Sequence, residues 1–182
     1  MCFSAGASFA ASAVLGVTGV LTIRKTTSAS QLPFAGIPLI LAAQQFSEGL
    51  VWWSLSDPRY GAWENNSVHS FLFVAEVVWP FWVPLSLLCF DQSPERKRAL
   101  RALTAVGIMV SLYFGYYLVC YPVHAAIGTH HIRYEQYLPL ATFWFSAIFY
   151  FVPTVVPLLI SHQRSLWIMG LMLLAAYLVT RV

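Results

Sequence analysis

The sequence predicts an all-α fold, an integral membrane bundle of six transmembrane helices forming a single domain. Two observations carry this. The 182 residues are 59% hydrophobic and only 9% charged, whereas a soluble domain is about 25% charged, so charge is too scarce to cover a water-facing surface. The apolar residues also fall in continuous runs close to the ~20 residues that a helix needs to cross a bilayer. A membrane β-barrel would alternate with period 2 instead. A net charge of +3 is too small to indicate a nucleic-acid partner; the partner implied is the lipid bilayer.

Six runs supply the spans, at about 6–23, 33–55, 67–90, 102–123, 137–160 and 165–181. The first, with "GASFAASAVLGVTG", is dense in small residues. Ser12 and Gly16 form a small-xxx-small pair that lets backbones approach, within the bundle or across a homo-oligomer interface. With no basic segment before it, this helix is expected to act as its own uncleaved membrane signal. The second contains "LAAQQFSEGLVWW", which puts Gln44, Gln45 and Glu48 at membrane depth. The third holds His69, Glu76 and "WPFWVP", whose Pro80 and Pro84 predict a bend just past Glu76. The fourth follows "DQSPERKRALR", with Ser93 as the N-cap and Pro94 at the first helical position. The fifth carries Pro153 and Pro157, tolerated because neighbouring helices satisfy freed carbonyls. The sixth is short. The connection "HAAIGTHHIRYEQ" after the fourth span reads as a loop.

Basic residues orient the bundle. Connections one, three and five carry Arg24, Lys25, Arg96, Lys97, Arg98, Arg101 and Arg164; the opposite side carries Arg59, Arg133 and Arg181. Positive charge is retained in the cytoplasm, so both termini are expected on the outer side. On that topology Glu48 lies about 5 Å beyond the midplane and Glu76 about 3–4 Å on the same outer side, from the helical rise per residue. A charge at this depth costs at least about 2.5–3.5 kcal/mol. The two carboxylates should therefore face the bundle interior, where they can share a proton, hold a cation between them or pair with separate groups.

Other polar residues collect at the same end. Gln44 and Gln45 share a broad helix face with Glu48, and His69 lies seven residues, or two turns, before Glu76. Cys120 and His124 are spaced to share a face at the end of span four. Cys2, His130 and His131 belong to this side too. The cysteines Cys2, Cys89 and Cys120 match no zinc or CxxC spacing, but Cys2, Cys120 and His124 could give soft ligation suited to copper(I) or zinc. Trp52, Trp53, Tyr60 and Trp63 with Tyr116, Tyr117, Tyr121, Tyr134 and Tyr137 read as an interfacial aromatic belt.

The segments "MCFSA", "QQFSEGLVW" and "EVVWPFWVPL" resemble a family of small uncharacterised bacterial multi-pass membrane proteins. The resemblance extends over most of the chain. It implies a location in the bacterial inner membrane and places Cys2, Gln44, Gln45, Glu48, Glu76, Trp79 and Pro80 in the family pattern, without implying an activity.

The functional expectation is an outward-facing site that binds a cation, a metal ion or a proton. Its residues are Glu48, Glu76, Gln44, Gln45 and His69, with Cys2, Cys120 and His124 as candidate zinc or copper ligands. The role would be sensing, metal handling or transport. Two other readings stay open: a membrane-embedded metal- or cysteine-dependent enzyme with a glutamate as general acid or base, and a structural subunit in which the carboxylates tie helices together.

Overall fold

The computed structural model describes residues 4–128, 131–137 and 140–179, the side chains of 140–147 and 176–179 excepted. Helix α1 (Ala5–Arg24) begins at Ser4, whose side chain accepts from the Ala7 amide. A 3₁₀ turn and the one-turn helix α2 (Leu32–Ala35) lead into α3 (Ile37–Ser56). Helices α1 and α3 pack along their length. The small residues of α1 are used here: Ser12 Oγ donates to the Ala42 carbonyl at 2.8 Å, and Gly16 faces the Ala42 side chain.

After a 3₁₀ turn at Pro58–Trp63 comes α4 (Glu64–Leu72), then a π-helical segment, Phe73–Val78, then α5 (Trp79–Phe90). Helix α6 (Pro94–Cys120) returns along α5. Strands β1 (Val123–Ile127) and β2 (Ile132–Gln136) form an antiparallel hairpin, with Val123 opposite Gln136 and Ile127 opposite Ile132. Helices α7 (Leu140–Leu159) and α8 (Arg164–Val179) follow.

The fold is thus mostly helical, and four stretches are long and apolar enough to cross a membrane: Ala5–Arg24, Ala29–Ser56, Pro58–Phe90 and Pro94–Cys120. Their outward faces carry exposed Val14, Val17, Ile108, Met109 and Leu112. In lipid, which is as apolar as these side chains, such exposure has no cost. Helix α6 starts at Pro94, the first helical position the sequence indicates, and the charged stretch "ERKRALR" forms its opening turns ahead of the apolar span. Two features depart from the sequence reading. Ser93 occupies the N-cap position, but its side chain makes no cap; the Asp91 carboxylate accepts from the Ser93 amide at 2.7 Å instead. The expected loop after span four is the β-hairpin.

The core has two parts. At the hairpin end, Val51 and Trp52 of α3, Val68, Phe71 and Leu72 of α4, Leu118 and Ile132 form one buried cluster. At the opposite end, Leu87, Leu100, Leu158 and Leu166 join α5, α6, α7 and α8. Between them, α6 passes so close to the start of α5 that a Cβ placed on Gly107 would strike the Pro80 carbonyl.

Gly107→Ala is therefore expected to lose about 1–3 kcal/mol of stability by forcing the helices apart, read from reversible unfolding in detergent micelles; unchanged stability would contradict the close crossing. Asp91 makes a paired contact with Arg96, at 2.7 and 3.1 Å. That guanidinium holds the Asp91 carboxyl below its ordinary value of 3.8. The stability it contributes is complete above the unfolded-state value and is lost as pH falls through the lower folded one. The stability difference between wild type and Asp91→Asn should shrink as pH is lowered from about 6 toward about 2, across the aspartate range.

Candidate functional site

Pro80 shapes the centre of the molecule. It has no amide hydrogen to give the Glu76 carbonyl, and its ring crowds the space where that carbonyl would point. The chain responds by widening over Phe73–Val78, and the Trp79 amide bonds to the Val74 carbonyl five residues back. Carbonyls in the widened turn then need donors from elsewhere. Ala75 O accepts from the Tyr150 hydroxyl of α7 at 2.5 Å, and Val77 O accepts from Ser111 of α6 at 2.6 Å. Wide turns of this kind are often found at functional sites. Here the widened turn carries Glu76.

The hairpin lies over this region. Ile132, Tyr134 and Gln136 alternate inward along β2, while Arg133 and Glu135 point out and pair with each other at 3.0 Å. Tyr134 stacks on Phe71 of α4, ring centres 5.0 Å apart, which fastens the strand to the bundle. Beneath Gln136 lies the Glu76 carboxylate. Gln136 interacts with the carboxyl, while Glu76 Oε2 and Gln136 Nε2 are left buried without a hydrogen bond of good geometry. Glu48, only 1% exposed, accepts from Gln45 Nε2 at 3.0 Å. Its charge reaches Tyr134, whose phenol is pushed up first by burial and then by Glu48. The Tyr134 hydroxyl is also buried without a partner.

Three of the four buried side-chain atoms that lack a hydrogen bond among the described residues therefore belong to this one region, on Glu76, Tyr134 and Gln136. Buried polar groups are normally satisfied, so such a cluster needs an explanation. The two carboxylates are turned to separate partners. The β2 residues nearest them, Gln136 for Glu76 and Tyr134 for Glu48, sit on one face of the strand, two residues and so about 7 Å apart.

The other expected residues divide. Gln44 accepts from Trp79 Nε1 at 2.7 Å, tying α3 to α5. His69 Nδ1 lies 2.7 Å from the Asn65 carbonyl of its own helix, and the wide turn between it and Glu76 changes the helical phase that the two-turn spacing assumed. Cys120 ends α6, the chain is extended at Tyr121, and His124 sits on β1; both Cys120 and His124 are exposed. Their i, i+4 spacing had a common face only on a continuous helix. Cys2 and His130 lie outside the described residues, and His131 is exposed. Among the described residues no group of three or more His, Cys, Asp or Glu could hold a metal ion, so the zinc or copper reading is not supported. Tyr134, Gln136 and Tyr150 are the site residues that sequence reasoning missed.

Fold and site together describe a mostly helical protein with four helices able to cross a membrane and a buried polar cluster under a β-hairpin. The chain belongs to the family of unknown function DUF6629, which matches residues 1–182. No curated protein matches it, and no solved structure does.

Tyr150→Phe removes the donor to Ala75 O and leaves a buried carbonyl bare. The expected loss is about 1–3 kcal/mol, measured by thermal unfolding in detergent; no loss would mean that the widened turn does not depend on α7.

Proposed function

We propose that this protein is a six-span protein of the bacterial inner membrane, with both termini outside, that binds a cation in a polar chamber roofed by the β1–β2 hairpin. The cation is a proton or a hard monovalent ion such as sodium. One observation carries the reading: the buried, unpartnered oxygen of Glu76 beside two further unpartnered polar atoms, on Gln136 and Tyr134. A bare carboxylate oxygen in such surroundings is costly, and a cation there would give it and the Tyr134 oxygen a partner. Carboxylate and phenol oxygens favour a hard ion over copper or zinc. The leucine cluster at the opposite end favours a dead-ended binding site, hence sensing or storage, over a through-pathway.

A ligand that binds only the folded state raises stability with its concentration, by about 2.7 kcal/mol at a hundred times its Kd. Sodium chloride titrated against choline chloride at constant ionic strength, or acidification, should raise the wild-type melting temperature by several degrees. Glu76→Gln, which keeps the shape and removes the charge, should fold and lose that response. If wild type and Glu76→Gln respond identically to both sodium and pH, the reading fails.

A further inference from the structure

A cavity not lined by either carboxylate lies among the helices. It holds about 540 Å³ and is lined from α3, α5, α7 and α8, a size within the range of small-molecule sites. Its walls are apolar and aromatic, with Phe34, Trp79, Tyr150 and Phe151 among them. Most of its polar groups are already engaged. Ser86 donates to Val83 O and Thr154 to Tyr150 O; Tyr150 is committed to Ala75 O and Trp79 Nε1 to Gln44 Oε1. What remains is the Gln44 amide nitrogen, which has no hydrogen-bond partner among the described residues. The cavity therefore combines apolar walls with a single free donor.

We propose that this cavity binds a lipophilic ring carbonyl compound of the quinone class, its carbonyl oxygen accepting from Gln44 Nε2 and its ring lying among the aromatic walls. The lone donor calls for a ligand with an acceptor and little other polarity. Depth then separates the candidates. Gln44 is about 4 Å from the midpoint of α3 by the helical rise. In a hydrocarbon core about 30 Å thick, a phospholipid ester carbonyl, tethered to its headgroup, stays near the edge and does not reach that level. A freely diffusing lipophile with its own carbonyl does. Exposed Met169 and Leu173 of α8 line the same cavity, which puts lipid-facing residues at its margin and allows loading from the membrane. The proposal rests on the membrane reading above and is independent of the carboxylate chamber.

The test titrates decylubiquinone into the purified, delipidated full chain in detergent, reading quenching of tryptophan fluorescence together with native mass spectrometry. Wild type should quench saturably and bind one quinone per chain. Gln44→Leu removes the donor. Leu173→Trp fills the cavity and leaves the Gln44–Trp79 bond intact, so it stays informative should Gln44→Leu misfold. Each should weaken binding by at least about tenfold. The proposal is overturned by quenching that rises linearly as in empty micelles, by unchanged affinity in Leu173→Trp, or by extraction of a stoichiometric phospholipid as the occupant.

Discussion

Pro80 offers no amide hydrogen, and much of the arrangement at the centre of this protein follows from that lack. A regular helix cannot run through the preceding turn, so the chain widens across Phe73–Val78. The widening frees carbonyls that recruit Tyr150 from one helix and Ser111 from another. It also accompanies the close passage of α6, possible only because Gly107 has no side chain to meet the Pro80 carbonyl. One backbone defect is thereby tied to two further helices, α6 and α7. Glu76 sits in the defect, and its orientation under the hairpin depends on the same turn.

The hairpin supplies what the helices lack. Helices of this bundle bring Glu48 and Gln45 together on one face, a local pairing set by three-residue spacing. Glu76 is also covered from outside these helices. The inward side of β2 supplies that cover, with Gln136 over Glu76 and Tyr134 near Glu48. A short strand can present two polar side chains to one pocket because alternate residues share a face. The polar atoms left unpaired there, on Glu76, Tyr134 and Gln136, are the ground on which the proposed cation site rests.

Much of the framework was legible in the sequence, for physical reasons that can be named. The long apolar runs announced the first four spans, Pro94 marked where α6 begins, and the stranded Glu48 and Glu76 pointed to the bundle interior. Three things were hidden. Hydropathy sees only apolar residues, so the charged first turns of α6 fell outside the expected span. "VHAAI" and "IRYEQ" are too short and too polar to stand out as strands, though the alternation of Ile132, Tyr134 and Gln136 with Arg133 and Glu135 was readable. The phase change introduced by Pro80 broke the two-turn relation of His69 to Glu76, just as the end of α6 at Cys120 broke the helical spacing to His124. Helical arithmetic held wherever the helix was regular and failed at the positions where it was not.

The central claim is that the turn imposed by Pro80 aims residue 76 at β2. It is tested most directly by bridging the two positions with a short bifunctional thiol reagent. The chain would carry Glu76→Cys and Gln136→Cys in a background of Cys2→Ser, Cys89→Ser and Cys120→Ser. Efficient intramolecular bridging is predicted. Adding Pro80→Ala should restore the regular helix, turn residue 76 by about 100° and abolish the bridge. No bridging at the outset, or bridging undiminished by Pro80→Ala, would contradict the account.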